Sequence, residues 1–456
     1  MINNTPSRLG IQAFAAPPGA PTRPRIRHAE GIWFEDEAGH RTIDVSSGPV
    51  ASNLGHGNPR VLAAMRAQME AAVFAFPSQF ESNANFALAE KLAALCGPGL
   101  DRAYLTSGGS EAIESAVRFC RQYAVSSGQG TRWKVISRMP SYHGNTAGAL
   151  TLSGDPLAHE VFGPLLVPMP KIPAPVSYRV PAGHTVESYA ADCAEALERS
   201  ILAEGPETVL AFILEPVGGL ATGALVATNA YYRRVREICS QYGVLLIYDE
   251  VMSGAGRTGR FLASDHWPDG RPDIVVLAKG VSAGYAPMGV VMVPEAMAEF
   301  LAARGGFSAG FTYYANPMAC ATAAAVLDEV MERDLIANAA RQGDRMRAHL
   351  DAIAGRSRIL GDVRGKGLLL AIEFVADKAE KRPIPPASNA PERVKAIGLQ
   401  HGLTLYGRRT AGGQYGEWLM ISPPLIVTGD EVDEIATRLE ATLSDYETEL
   451  AREGVI

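Results

Sequence analysis

Only five cysteines occur in 456 residues, at positions 96, 120, 193, 239 and 320, and no two form a CxxC. An odd, scattered set argues against a disulfide framework and against a zinc site, and points to reduced thiols. No apolar run approaches the roughly 20 residues of a membrane-spanning helix. The opening residues MINNTPSRLG lack the apolar core of a signal peptide. A net charge of −7 leaves no basic footprint for a nucleic-acid partner. The P-loop pattern GxxxxGK[ST] is absent too, as are internal repeats and long low-complexity tracts. The expectation is a soluble, cytoplasmic chain with no membrane, nucleic-acid or metal partner.

What is present is an ordinary globular composition, 47% hydrophobic and 20% charged, long enough for one large domain and a smaller one. Residues 1–24 read as an irregular arm. GIWFEDEAGHRTIDVSSG reads as two short strands joined at the DEAGH turn. From about residue 101 to 293, apolar segments (RAYLT, KVIS, VLAFIL, VLLIY, IVVLA) alternate with helical patterns. That alternation implies an α/β fold with a mostly parallel sheet. GVVMVP returns after a loop too short for a crossover helix, so this strand is expected to be antiparallel. Beyond residue 331, VRGKGLLLAIEF and EWLMISPPL announce a smaller sheet, followed by a terminal helix. The expected boundaries are 1–59 for the arm and part of the small domain, 60–330 for the large domain, and 331–456 for the C-terminal small domain.

The chemistry concentrates at strand ends. VLLIYDE ends in Asp249 and Glu250, and PDIVVLAKG ends in Lys279. Ligands of open α/β sheets bind beyond the carboxyl ends of the strands. Lysine is rarely buried, yet Lys279 follows five apolar residues and precedes a glycine. A desolvated amine loses pKa and becomes nucleophilic. An acid for a ring nitrogen and an amine for an aldehyde are what pyridoxal phosphate requires. Lys366 in RGKG precedes its apolar run and is the decoy. LTSGGSEAIES brings Gly108, Gly109 and Ser110 to a helix start, where free N–H groups attract an anion; taken alone it is equally a plain N-cap. SYHGNT offers Tyr142 as a ring cover and His143 as an assistant. Glu215 ends VLAFILE; singly, it and Asp249 read as caps or ion-pair partners. Glu250 is expected to face the other way and to pair with Arg257.

Together these residues resemble the class III pyridoxal-phosphate aminotransferases of the aspartate-aminotransferase-like fold type I. The resemblance runs over nearly the whole chain, through LGHGNPRV, TSGGSEA, SYHG, ILEPV, IYDEVMSGAGRTG, PDIVVLAKG, GFTYYANPMACA and VRGKG. Asp249 and Lys279 stand 30 residues apart within it. It implies a large domain with a seven-stranded sheet, and pyridoxal 5′-phosphate as cofactor. Lys279 is implied as the Schiff-base lysine and proton shuttle, and Asp249 as the partner of the pyridine nitrogen. Val251 and Tyr142 are implied on the two ring faces, and Gly109 and Ser110 at the phosphate. Thr312 is implied to reach the phosphate of a second subunit in a homodimer with shared sites, a tetramer being left open. Glu215 matches a family glutamate that pairs with a mobile arginine. Arg408 and Arg409 in LYGRRTAGG are the candidates, Arg409 preferred.

Two departures bear on the substrate. Met252 stands where many members carry a glutamine, and the EPV segment continues GG. An apolar residue at the first of these is familiar in the ω-amino-acid and amine:pyruvate branch of the family, and turns the expectation there and away from ornithine-type substrates. Pro49, Val50, Phe74, Phe76 and Phe80 are candidates for an apolar substrate pocket, though such phenylalanine spacings also suit a core. The implied reaction is ping-pong transfer of an amino group from an amine or ω-amino acid to pyruvate or 2-oxoglutarate. A decarboxylase or aminomutase of the same fold is the alternative, and a nucleotide-binding module using TSGGSEA is the rival from another class.

Overall fold

The computed structural model describes residues 23–456, so most of the expected N-terminal arm lies outside the described residues. At the centre stands a seven-stranded sheet in the order Arg102–Thr106, Gly289–Val293, Ile274–Ala278, Leu245–Asp249, Val209–Leu214, Lys134–Met139, Lys171–Pro173. Gly289–Val293 runs antiparallel to both neighbours, and the other strands share one direction. The short return through residues 279–288 leaves no room for a crossover, and Gly289 pairs directly with Ala278.

Every residue of Val209–Leu214, Ile274–Ala278 and Gly289–Val293 is buried, because both faces of the sheet are covered. The strand period of two divides their side chains. Leu246, Tyr248, Val275 and Leu277 join one core. Ile247, Ile274 and Val276 join another, against the helix Gly109–Ser126. That helix presents Ile113, Ala116, Phe119 and Cys120 to the sheet, while Val117 is only half-buried. The helix Asn229–Tyr242 starts on Thr228, whose hydroxyl accepts the Tyr231 N–H, and stops at Gly243 in the left-handed region.

Two four-stranded sheets accompany the central one. Leu360–Lys366, Leu369–Phe374, Glu417–Ile421 and Tyr406–Arg409 form an antiparallel sheet. Ile26–Glu30, Trp33–Asp36 and Arg41–Asp44 form the other, completed by Leu403–Thr404 from the far end of the chain. Ile43, Val45, Leu403, Leu419 and Leu439 share one apolar cluster, so early and late segments bury each other. No helix of the described residues is long and apolar enough to cross a membrane.

Candidate active site

Three adjacent strands end at one place. Glu215 follows Val209–Leu214, Asp249 closes Leu245–Asp249, and Lys279 follows Ile274–Ala278; all three line a cavity of about 450 Å³. That size suits a small cofactor with its substrate, at the edge where parallel sheets bind ligands.

Lys279 leaves its strand with φ 44°, a left-handed conformation costly for a side chain with a Cβ. Its amine makes no hydrogen bond or ion pair among the described residues and opens onto the cavity. Burial lowers its pKa to about 8, against the opposing pull of Asp249 and Glu215. Asp249 is held on both oxygens. Oδ2 lies 2.8 Å from His143 Nδ1, and Oδ1 accepts the Val251 N–H at 3.1 Å. His143 Nε2 is buried without a hydrogen-bond partner among the described residues.

Across the cavity, the helix Gly109–Ser126 begins with no side-chain cap, and Ser107, Gly108, Gly109 and Ser110 line the space before it. Uncapped first-turn N–H groups make an anion site. The two glycines differ. A Cβ on Gly109 would stand 3.2 Å from Val251 Cγ1 and 3.5 Å from Ala278 Cβ, whereas one on Gly108 would meet nothing within 4 Å. Gly144, at φ +134°, would place a Cβ 2.4 Å from Ser110 Oγ, which accepts the Asn145 N–H. The SYHG turn therefore packs directly on the glycine loop.

Tyr142, His143, Glu215 and Val251 all line the cavity. Glu215 is fully committed to backbone: Oε2 accepts the Tyr142 N–H at 3.2 Å and Oε1 the Gly219 N–H at 2.8 Å. Burial raises its pKa. No arginine side chain pairs with it among the described residues.

The two candidate arginines separate. Arg409 turns to buried Glu417, Nε to Oε2 at 2.9 Å, and to the Ile384 carbonyl, so the structure does not bring the preferred residue to the cavity. Arg408, on the opposite face of the same strand, does not line the cavity either; it pairs with Asp155 and acts electrostatically on Tyr142, which does. The pleat decides this: Arg409 stands opposite Glu417 and Arg408 opposite Trp418, whose Nε1–H donates to Leu220 on the cavity wall. Thr312 is exposed and Phe80 is 66% exposed; neither lines the cavity. Phe74 and Phe76 pack edge-on against Tyr313 and Tyr314 instead.

The expected Glu250–Arg257 pair does not form. Glu250 accepts the N–H groups of Ala263 and Ser264, and Arg257 donates to Asn53 Oδ1 and to the carbonyls of Leu368 and Pro423. Both had better partners closer to hand. The segment GAGRTG, residues 254–259, has GxGxxG spacing, but it is a run of turns that opens no helix. Sequence reasoning missed more than half of the lining, Ala51, Gly144, Leu220, Ser282 and Met288 among it, and also Asp155, the partner of Arg408. Only Gly144 carried a signal, as the glycine of SYHG.

A mostly parallel sheet with a lysine, a histidine-braced aspartate and an uncapped helix start at one rim defines a fold type I enzyme. The aminotransferase class-III family model matches residues 15–443. An uncharacterized aminotransferase, YodT of Bacillus subtilis (strain 168), is 37% identical over 437 residues, covering 94% of this chain and 97% of its own. A solved (S)-enantioselective ω-transaminase from Thermomicrobium roseum is similar with TM-score 0.86 and 37% identity over 93% of each chain. An amine transaminase from an uncultivated Pseudomonas species, solved in its PLP-bound form, gives TM-score 0.87 and 33% identity over 95% of this chain and 99% of the other. The chain belongs to the class-III aminotransferases, and it is a transaminase.

Proposed function

We propose that this enzyme binds pyridoxal 5′-phosphate in the cavity and moves an amino group from an amine or ω-amino acid to an oxo acid, pyruvate or 2-oxoglutarate. The observation that carries the reading is Lys279, an amine with pKa lowered to about 8, facing the same cavity as the braced Asp249. The cofactor fits this chain's residues. Gly109 lacks the Cβ that Val251 would crowd, and the first N–H groups of its helix are free for a phosphate with Ser110 beside them. Val251 and Tyr142 supply apolar and aromatic surfaces for a flat ring.

Bound there, pyridoxal phosphate supplies an electron sink for the bond broken at the substrate Cα. Asp249 holds the proton on the ring nitrogen, and His143 and the Val251 N–H keep its carboxylate aimed. Lys279 would take the proton from the substrate Cα and hand it to the cofactor's aldehyde-derived carbon, a task suited to an amine with pKa lowered to about 8. Glu215 keeps Tyr142 in place through its main-chain N–H. Arg408, the arginine on the Tyr142 side, receives a substrate carboxylate.

The working form is a homodimer in which Thr312 of one subunit reaches the phosphate site of the other. Exposed Phe74, Phe80 and Tyr313 support this, since large apolar side chains in one region call for a covering surface. The five cysteines, all buried and unpaired, support a reducing compartment such as the cytoplasm. Purified protein reconstituted with pyridoxal phosphate, offered a panel of amines and ω-amino acids with pyruvate or 2-oxoglutarate, tests the reading. Formation of alanine or glutamate is the expected result, and cofactor binding without any amino transfer would sink it.

A further inference from the structure

Asp155 stands at the start of the helix Pro156–Phe162, in the position where an aspartate ordinarily caps the first turn, yet its side chain makes no capping bond. It is 8% exposed, and its Oδ2 instead engages the Arg408 guanidinium. Its Oδ1 is buried with no hydrogen-bond partner among the described residues. A carboxylate that forgoes its local N–H groups and leaves one oxygen unsatisfied is held out of water mainly by that arginine. The pair also sits beside the site. Gly154, just before Asp155, exchanges two main-chain hydrogen bonds with Ser141, just before Tyr142, at 3.2 and 3.0 Å. Asp155 is thereby fixed next to the tyrosine of the cavity wall. Arg408 arrives from the opposite side, on the strand face whose Trp418 is bonded to Leu220 of the same wall.

We propose that Asp155 sets the selectivity of this enzyme between carboxylate-bearing and uncharged amines, by occupying the guanidinium that a substrate carboxylate must capture. The proposal rests on Arg408 as the carboxylate site. Its content is that the resting counter-ion is Asp155 rather than Glu215, whose oxygens are taken by main-chain N–H groups. A substrate carboxylate therefore competes with a resident one of equal charge, and binds more weakly than a free arginine would allow. An uncharged amine displaces nothing.

The test compares 4-aminobutyrate with butylamine as donors in the holoenzyme, for the wild type, Asp155→Asn and Arg408→Gln. In ping-pong kinetics the donor kcat/KM does not depend on the acceptor, and the ratio of the two donors does not depend on the fraction of folded enzyme. Butyrate binding by calorimetry gives a reading free of turnover. Asp155→Asn is expected to raise the 4-aminobutyrate to butylamine ratio about tenfold, through KM, and to tighten butyrate binding similarly. Arg408→Gln lowers both. If Arg408→Gln lowers them while Asp155→Asn raises neither, the inference falls and the carboxylate site stands. If Arg408→Gln changes neither, the carboxylate site falls and takes the inference with it.

Discussion

Asp249 and Glu250 are consecutive carboxylates at the end of one strand, both withdrawn from water, and the pleat sends them to different regions. Asp249 faces the cavity, where a histidine and one main-chain N–H hold it and part of its surface stays open to a ligand. Glu250 faces the interior behind the sheet, where the N–H groups of Ala263 and Ser264 hold its two oxygens. Burial pushes Glu250 up to about 7, with those two bonds pulling the other way. Lys279 belongs to the first region, while Arg257, bonded to Asn53, Leu368 and Pro423, pairs with neither acid. Burial alone does not mark a site; an unspent side-chain atom facing empty volume does.

The largest effect that would break this contrast is at Lys279. Lys279→Ala removes the amine that moves the proton, and turnover is expected to drop by at least about 10⁴-fold, with loss of the visible absorbance of the lysine-bound cofactor. A variant that keeps both would end the assignment.

Next come the two acids themselves. Asp249→Asn is expected to lower kcat by about 10²-fold or more and to weaken cofactor retention, with little change in melting temperature. Glu250→Gln does the reverse. One of its two N–H donors loses its acceptor, which costs about 1–3 kcal/mol of stability, while kcat stays within about twofold. The pH dependence sharpens this. Folded Glu250 titrates near 7 against 4.5 for the ordinary group, so the folded state holds the proton more tightly. Its contribution to stability is expected to fall as pH rises from about 4.5 through about 7, and Glu250→Gln should remove that slope in denaturant titrations.

Lys279 shows the opposite charge type. Its pKa near 8 means that the reactive neutral amine grows in as pH rises. The apoenzyme should therefore take up pyridoxal phosphate at a rate that increases with pH and is half-maximal near pH 8, measured by stopped-flow absorbance. A flat profile from pH 6 to 9 contradicts the depressed value.

The smallest contrast is between the two glycines of the loop. Gly109→Ala pushes Val251 by a few tenths of an ångström, and about a tenfold loss of cofactor affinity is expected. Gly108→Ala meets open space at an extended backbone, and should change affinity less than about twofold. Equal effects at both positions would show that the loop tolerates or rejects side chains for some other reason.

Much of the sheet and the chemically reactive part of the cavity lining were legible in the chain. Short β-rich apolar runs ending in Asp249 and Lys279 read as buried strands with polar ends at one rim, and the ten-residue return before Gly289–Val293 dictated its direction. Tyr142, His143 and Glu215 adjoin strand ends, but it was the family resemblance that gave them and Val251 a place at the site; all four line the cavity. The failures share a cause. Arg408 and Arg409 are equivalent as text, and only cross-strand pairing with Glu417 and Trp418 tells them apart. Glu250 and Arg257 are near in sequence, but each found main-chain or amide partners that no spacing announces.

Sequence alone determined which chemical groups this protein could bring to a strand edge, because strand length, apolar continuity and glycine placement are local properties. Tertiary structure decided which of those groups remain available. A hydrogen bond to a residue more than a hundred positions away either satisfies a side chain or leaves it open to the cavity, and Asp155 holding Arg408 across 253 positions is such a decision. Availability is set by packing, and packing joins parts of the chain that carry no record of one another.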